Sequence, residues 1–149
     1  MQVKDVYTPE VVCCSRATDA RAAACMMRQH HVGALVVVND VQTDRAPIGI
    51  LTDRDLVIEV LAQGRDPKVT RVDALTRKPV VIAQESEEVE AVLERMRTHG
   101  IRRMPVVDHD GIVMGIVTLD DLLAMVADEA NALVQVNRRG QKQERQARR

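Results

Sequence analysis

Aromatic side chains are almost absent from the sequence, which has one tyrosine, Tyr7, and no phenylalanine or tryptophan. The core must therefore be built from aliphatic residues and methionine, and aromatic rings cannot sandwich a bound base. No apolar run approaches the roughly 18–20 residues that span a membrane. Charged residues interrupt the N-terminus, so no signal peptide is predicted. A chain of 149 residues is long enough to bury the core of one ordinary domain.

Cysteine is scarce as well. The three cysteines, Cys13, Cys14 and Cys25, are odd in number and lack CxxC spacing. This pattern predicts a reduced, cytoplasmic protein with unpaired thiols. Cys13 and Cys14 fall at the end of a predicted strand with no positive group assigned near them, so we expect them to pack rather than react.

Motifs for catalysis and metal binding are missing. The sequence contains neither GxxxxGK[ST] nor GxGxxG, so a Walker loop and a Rossmann fingerprint are excluded. None of the histidines has an acid, cysteine or histidine at the i, i+4 spacing of a zinc helix; they are His30, His31, His99 and His109. No nucleophile, base and acid form a recognisable set. We therefore expect neither an enzyme nor a metal site.

Charge is unevenly distributed along a chain of 21 basic and 22 acidic residues. Residues 138–149 hold six basic residues and one acid, which leaves residues 1–137 with a net charge of −6. An acidic body gives no general reason to expect a nucleic-acid partner. We expect residues 138–149 to be a flexible, basic tail, or alternatively a handle for an acidic partner or nucleic acid.

An internal duplication is the strongest signal in the sequence. The stretch "GILTDRDL" at 49–56 returns 66 residues later as "GIVTLDDL" at 115–122. Upstream, a shift of 69 residues superposes the valine-rich and helical segments of the two halves, and a loop around 41–46 holds the three extra residues. Duplication of this length predicts two copies of one supersecondary unit. We assign the copies to residues 2–66 and 67–132.

Each copy is predicted to be β-α-β-β-α. Short first strands are expected at Pro9–Cys13 and Pro79–Ala83, and continuous apolar runs at 34–38 and 104–108 are typical of strands covered on both faces. First helices have apolar stripes at 20, 23, 24, 27 and at 89, 92, 93, 96. Second helices begin at Thr52 and Thr118 and are expected to turn these residues inward: Leu56, Val60, Leu61, Leu122, Leu123 and Val126.

The repeated octapeptide allows two interpretations. Thr-x-x-Asp at a helix start is a capping box, in which threonine accepts from a backbone N–H and aspartate reaches back to the cap N–H. The glycine before it lets another group approach the backbone closely. Alternatively, the helix N-terminus suits a phosphate and the fixed carboxylate suits ribose hydroxyls. Acids in the first turn disfavour phosphate alone, but Arg54, Arg102 and Arg103 could supply the cations.

The octapeptides, together with "HHVGALVVV" and "HGIRRMPVVD", resemble a tandem pair of cystathionine-β-synthase (CBS) domains over about residues 2–130. The resemblance implies an α/β (α+β) fold of two repeats packed pseudo-symmetrically, with adenosine ligands bound in clefts between them. The motif threonine would contact phosphate, the motif aspartate would bind ribose, and adenine would rest on first-strand aliphatic residues. With the arginines proposed above as cations, the predicted ligand-binding residues are Thr52, Arg54, Asp55, Val81, Ile82, Arg102, Arg103, Pro105, Thr118 and Asp121.

The resemblance also implies a function. We expect a regulatory module that binds AMP, ADP or ATP, needs no obligatory cofactor, forms a homodimer through helices and acts on an unidentified protein target, without a membrane partner. S-adenosylmethionine or NAD(H) remains an alternative ligand. A ligand-free dimerisation or scaffolding module remains an alternative function. The first copy has Gly33 and Ala34 where the second has Arg102 and Arg103, so the two clefts are expected to differ.

Overall fold

A computed structural model describes residues 1–76 and 79–148, and the last residue of the predicted tail, Arg149, lies outside the described part. The first repeat contains a 3-10 turn at Val3–Asp5, β1 (Cys13–Ser15), α1 (Ala20–His30), β2 (Ala34–Asp40), β3 (Asp44–Thr52) and α2 (Asp53–Asp55), which continues as a π-helical segment at Leu56–Leu61. The second contains a 3-10 turn at Val72–Ala74, β4 (Ala83–Gln84), α3 (Val89–His99), β5 (Arg103–Val107), β6 (Val113–Thr118) and α4 (Leu119–Ala147).

Each repeat forms one three-stranded sheet with the same pairing. The first strand runs parallel to the second, and the second runs antiparallel to the third. Val37 pairs with Gly49 in the first sheet, and Val106 pairs with Gly115 in the second. A register irregularity follows that pair in both sheets. The predicted α+β fold of two equivalent repeats is confirmed.

The first strand of each repeat begins later than predicted. Pairing starts at Cys13 and at Ala83, whereas the sequence predicts strands from Pro9 and from Pro79. The preceding valines are apolar for other reasons: Val11 packs against Val36, Val38 and Val113 between the repeats, whereas Val12 and Val81 pack against the two repeat cores. The sequence pattern cannot distinguish such burial from that of a strand.

The repeats exchange their first segments. Val3 is fully buried in the core of the second repeat, and Val72 is fully buried in the core of the first. Backbone hydrogen bonds fix both crossings: Val3 N donates to the Glu87 carbonyl at 2.9 Å, and Val72 N donates to the Thr18 carbonyl at 2.9 Å. Copies that are contiguous in sequence are therefore interlocked in space.

The octapeptide glycines make this exchange possible. A Cβ at Gly49 would lie 2.7 Å from the Thr76 Cβ, and one at Gly115 would collide with the Thr8 carbonyl oxygen and the Tyr7 ring. Thr8 also pairs with Ile116 through two backbone hydrogen bonds. The expected close approach to each glycine is therefore made by the neighbouring repeat's first segment.

Strands β2 and β5 are covered on both faces, as predicted. In β2, Leu35 and Val37 face the first repeat's core, while Val36 and Val38 contact Val113 of the second repeat. β5 is likewise buried from Met104 to Val107. These strands join each core to the surface between the repeats.

The helices bury narrower stripes than predicted. Ala24 and Leu93 are exposed at the edges of α1 and α3, although the other predicted positions are buried. In the second helices Leu56 is half-buried, while Val60 and Leu122 are buried. The inward orientation predicted for Leu61, Leu123 and Val126 is wrong, because only one side of each helix touches its sheet.

Helix α4 continues far beyond the body of the protein. Its 29 residues span about 44 Å, and residues 138–147 are helical where the sequence predicts a flexible tail. Glutamine, lysine, arginine, glutamate and alanine are good helix formers, which outweigh the single interior Gly140. Within the described residues, no helix is long and apolar enough to cross a membrane.

Candidate functional site

A cavity of about 610 Å³ lies where the two octapeptide motifs meet. This volume is within the range of small-molecule sites. The first repeat contributes the end of β3 and the start of α2; the second contributes the segment before β4, the α3–β5 connection and the start of α4. Its lining residues are Ile50, Thr52, Asp53, Arg54, Asp55, Pro79, Val80, Val81, Gly100, Ile101, Arg102, Arg103, Thr118, Leu119 and Asp120.

Both helix starts at the cavity carry complete capping boxes. Thr52 N donates to Asp55 Oδ2 at 2.8 Å, and Asp55 N donates to Thr52 Oγ1 at 3.1 Å. Thr118 and Asp121 repeat these bonds at 2.9 and 3.1 Å. The capping interpretation is therefore correct for both copies. Each threonine hydroxyl uses an acceptor lone pair in its cap and keeps its proton available to donate.

The cavity has a balanced set of charges. Its lining includes three aspartates and three arginines: Asp53, Asp55, Asp120, Arg54, Arg102 and Arg103. Arg103 pairs with Thr118 across β5 and β6, and Leu119 N donates to the Arg102 carbonyl at 2.8 Å. Backbone pairing thus fixes both arginines beside the start of α4.

The same backbone arrangement in the first repeat lacks these cations. Ala34 pairs with Thr52, and Asp53 N donates to the Gly33 carbonyl at 3.0 Å. The predicted replacement of an arginine pair by glycine and alanine therefore falls at structurally equivalent positions. Positive charge at these two positions is therefore present only in the second repeat.

The remaining wall of the cavity is aliphatic. Apolar side chains come from both repeats and include no aromatic ring; they are Ile50, Pro79, Val80, Val81, Ile101 and Leu119. Such a wall can hold a flat ring by van der Waals contact. Carboxylates, guanidinium groups and helix starts lie around the same space.

Seven of the ten predicted ligand-binding residues line the cavity. They are Thr52, Arg54, Asp55, Val81, Arg102, Arg103 and Thr118. Three lie outside the lining: Pro105 is buried within β5, the Ile82 carbonyl accepts from Arg95 Nη1 at 2.6 Å, and Asp121 caps α4. Other lining residues were not predicted to bind a ligand, among them Asp53, Asp120, Ile50, Ile101 and Leu119. The two acids lie in the first turns of the second helices, where acids were expected to disfavour phosphate.

The two motif aspartates differ in their second oxygen. Asp121 Oδ1 lies 3.4 Å from the Thr8 hydroxyl, which donates to it, while Oδ2 serves the cap. Asp55 serves its cap through Oδ2 and lines the cavity. The exchanged N-terminal segment therefore contacts the motif carboxylate of the second repeat directly.

The adjacent cysteines lie away from this cavity. Cys14 is 2% exposed, and burial raises the pKa of its thiol to about 12. Burial also raises the pKa of Cys13, although Arg45 opposes the shift with Nη2 3.6 Å from the sulfur. The sequence-based statement that no positive group is near Cys13 is thus corrected. Across residues 1–76 and 79–148, no three acid, cysteine or histidine side chains converge as metal ligands.

These features define an α+β module of two interlocked repeats with a polar and aliphatic cleft between them. The sequence model for the CBS domain matches residues 3–62 and 72–128. The chain therefore belongs to the CBS domain family, and the family resemblance of the sequence is confirmed.

Proteins with similar sequences include several short CBS chains. An uncharacterised protein of Methanopyrus kandleri, MK0525, is 38% identical over 123 residues, which are 83% of this chain and 61% of that protein. Hypoxic response protein 1 of Mycobacterium tuberculosis is 34% identical over 127 residues, covering 85% of this chain and 86% of that protein. The CBS domain-containing protein YhcV of Bacillus subtilis is 38% identical over 120 residues, covering 80% and 81%.

Solved structures with the same architecture differ in what they bind. Hypoxic Response Protein I with two coordinated zinc ions has a TM-score of 0.74 at 32% identity, covering 84% of this chain and 98% of that one. The CBS domain pair of MJ0100, in complex with 5-methylthioadenosine and S-adenosyl-L-methionine, has a TM-score of 0.74 at 26% identity, covering 87% and 98%. A CBS protein of Pyrobaculum aerophilum complexed with AMP shares the fold, with a TM-score of 0.75 at 20% identity and coverage of 88% and 99%.

Proposed function

We propose that this protein is a regulatory module that binds an adenine nucleotide, AMP, ADP or ATP, in the cavity between its repeats. One observation carries the proposal: a single cavity of about 610 Å³ combines both motif threonines, three arginines, three aspartates and an aliphatic wall. Each part of a nucleoside phosphate has a chemically matched group there. The protein would act in the cytoplasm as a sensor of cellular energy state.

The proposed binding mode assigns each part of the ligand to a different group. Phosphate would be held by Arg102, Arg103 and Arg54 and by hydroxyl donation from Thr52 and Thr118, because guanidinium groups bind phosphate oxygens well. Adenine would rest on Val81 and neighbouring aliphatic residues. The ribose hydroxyls would donate to the motif carboxylate of Asp55, which lines the cavity. Asp121 could take the same role only if a ligand displaced the Thr8 hydroxyl from its Oδ1. Ile82 and Pro105 would support these contacts from beside the cavity.

Two other adenosine compounds fit the same chemistry. S-adenosylmethionine carries a positive sulfonium where AMP carries phosphate, and NAD(H) adds a second nucleotide. The ligands of the MJ0100 CBS pair support the first alternative. The three arginines favour an anionic group beyond the ribose, so we place the phosphate-bearing nucleotides first.

The regulatory step would be a change in the angle between the repeats or between two protomers of a homodimer. A ligand can shift such an equilibrium only if it binds the two arrangements with different affinity. The cavity wall is shared by both repeats, so closing them around a ligand would change its contacts. An as yet unidentified protein target would detect the altered surface.

A ligand-free scaffold is the second candidate function, because both capping boxes are complete in the protein alone. Neither motif threonine nor motif aspartate then requires a ligand for its hydrogen bonds. The exposed apolar residues of the second helices would serve only for dimerisation.

A thermal-unfolding panel distinguishes these functions. The protein is heated with AMP, ADP, ATP, S-adenosylmethionine, NAD or NADH at millimolar concentration. A ligand present at 100 times its Kd adds about 2.7 kcal/mol to the free energy of unfolding, which raises Tm by several degrees in a domain of this size. Absence of a shift with all six would support the scaffold.

Charge variants then locate the site. Arg102→Ala and Arg103→Ala should each weaken binding of a nucleoside phosphate by about tenfold or more, since a charge-assisted hydrogen bond is lost. Arg97→Ala is the matched control, because Arg97 pairs only with Glu94 on the exposed face of α3 among the residues described. Equal affinity in all three variants would place the ligand elsewhere.

A further inference from the structure

Helix α4 carries an apolar stripe that no part of the described chain covers. At 100° per residue the stripe occupies an arc of about 120° centred on Ala130. It comprises Leu123, Val126, Ala127, Ala130, Leu133 and Val134, all of them exposed. Leu133 is 72% exposed and Val134 is 47% exposed, whereas Leu122, on another side of the helix, is buried against the body. The stripe therefore begins beside the body and continues past it.

Charge on α4 is separated along the helix, with acids near its start and bases near its end. Residues 119–129 contain four acids and no base, residues 130–137 are uncharged, and residues 138–148 contain five bases and one acid. The first part has a net charge of −4, and the last part has +4. A helix with this pattern attracts a reversed copy of itself and repels a copy in the same direction.

We infer that α4 pairs antiparallel with α4 of a second copy of this chain, about a two-fold axis at Ala130. This specifies the homodimer proposed above and rests on it, but it does not require the nucleotide. In this arrangement Val126 packs against Val134 of the partner subunit, and Ala127 packs against Leu133 of the partner subunit. The small Ala130 at the axis lets the two helices approach closely.

The charges match in the same arrangement. Residues at the same height along the two helices have numbers that add to 260, so the acidic part of each helix, residues 119–129, lies beside residues 131–141 of the other copy, which carry the first basic residues. Residues 138–148 of each copy lie towards the other's body, and residues 1–137 have a net charge of −6. Opposed helix directions also place the helix dipoles favourably. Apolar register, charge and dipole thus favour the same partner, a second copy in reverse orientation.

Two substitutions on one helix test the surface. Val134→Asp places a carboxylate within the proposed contact, and Val136→Asp places one on the same helix about 120° from the centre of the stripe, where the side chain is 71% exposed. Sedimentation equilibrium of the full chain should show the dimer Kd rising about 100-fold or more with Val134→Asp, because two carboxylates are buried in apolar contact. Val136→Asp should leave it within about threefold. Circular dichroism checks that α4 stays helical.

Orientation is tested by disulfide formation in a Cys25→Ser background. Val126→Cys and Val134→Cys chains are mixed and oxidised with oxidised glutathione. The antiparallel pair predicts cross-links between the two different chains and few within either preparation alone. Cross-links within each preparation alone indicate parallel helices and would overturn the inference.

Other outcomes distinguish the α4 contact from homodimer formation in general. If Val134→Asp leaves the dimer Kd unchanged, the homodimer stands but the α4 contact is overturned. A wild-type chain that stays monomeric at micromolar concentration overturns both. A monomer whose basic residues instead retain mixed-sequence DNA in a salt-dependent way also overturns the inference and identifies the tail as a nucleic-acid handle.

Discussion

Gly33 and Ala34 lie beside the start of α2 in the first repeat, through strand pairing and a backbone hydrogen bond. Arg102 and Arg103 hold the same backbone positions beside the start of α4 in the second repeat. The strand register and the capping boxes are alike around both pairs. Duplication has thus preserved the backbone arrangement, while this arginine pair is present only in the second repeat. The hydrogen-bonded caps are common to both repeats, so the difference between them lies in the charge beside each helix start and not in the backbone.

A second difference between the repeats is an ion pair between Arg95 of α3 and Glu87, just before that helix. In the second repeat Arg95 donates two hydrogen bonds to Glu87, at 2.6 and 3.1 Å, and one to the Ile82 carbonyl. The positions shifted by 69 residues are Met26 and Thr18 in the first repeat. A partly buried ion pair therefore stabilises one copy where the other uses neutral packing.

The largest effect on stability, and the largest difference between the two repeats, is expected on substitution of the octapeptide glycines. Gly115→Ala should lower the free energy of unfolding by about 3 kcal/mol, because the added Cβ meets a hydrogen-bonded main-chain carbonyl and a half-buried ring. Gly49→Ala should lower it by a smaller amount, about 2 kcal/mol, since the added Cβ meets the Thr76 Cβ at 2.7 Å and the main chain around Thr76 must shift, but no backbone hydrogen bond is struck directly. Urea denaturation measures both. Equal losses would show that the two crossings are equally tight.

The ion pair should make the second repeat sensitive to acid. The hydrogen bonds from Arg95 hold the pKa of Glu87 below its ordinary value of 4.5. A lowered folded-state pKa means that the stabilisation is present above about pH 4.5 and is lost as pH falls through the folded-state value. Replacing both residues by their first-repeat counterparts, Glu87→Thr with Arg95→Met, should remove that pH dependence.

At pH 7 the single substitution Glu87→Gln should lower the free energy of unfolding by about 1 kcal/mol, because the pair is partly solvent-screened. Urea denaturation of wild type and variant at pH 7 and pH 3 gives the comparison. Glu94→Gln is the control, since its pair with Arg97 is exposed. A gap that persists undiminished at pH 3 would contradict the assignment.

A smaller effect is expected where the first helices end. His31 adopts the left-handed conformation with φ 54°, and Gly100 adopts it at the equivalent position with φ 62°. His31→Gly should stabilise the protein by up to about 1 kcal/mol, and Gly100→Ala should destabilise it by about the same amount. Thermal unfolding of the two variants decides the signs. Opposite signs are required, because glycine adopts this conformation without Cβ strain.

The fold was largely predictable because its signals are local and repeated. The octapeptides contain their caps within four residues, and the valine runs of β2 and β5 are long enough to indicate burial on both faces. The exchange of first segments was not predictable, since the residues around Val3 and Val72 look alike and pattern alone does not say which core receives which.

The lining of the cavity was predictable where it depends on motif residues. Thr52, Arg54 and Thr118 line the cavity because the motif places them at helix starts. Asp121 differs because Thr8, more than 100 residues away in sequence, contacts its free oxygen. The helical end of α4 was missed because a polar, charged composition predicts disorder as readily as an exposed helix.

The smallest effect concerns the buried thiol of β1. Cys14 pairs with Val37, and Ala83 pairs with Val106 at the equivalent place in β4. Cys14→Ala should therefore change the free energy of unfolding by about 1 kcal/mol or less, as one small buried group is removed. In the native protein at pH 8, the Cys14 thiol should resist alkylation, because burial keeps it protonated with a pKa of about 12. Mass spectrometry after brief alkylation should show modification of exposed Cys25 first and of Cys14 only after unfolding. Rapid native labelling of Cys14 would contradict this, because it would mean that β1 opens locally in the folded protein and exposes a thiol that burial should protect.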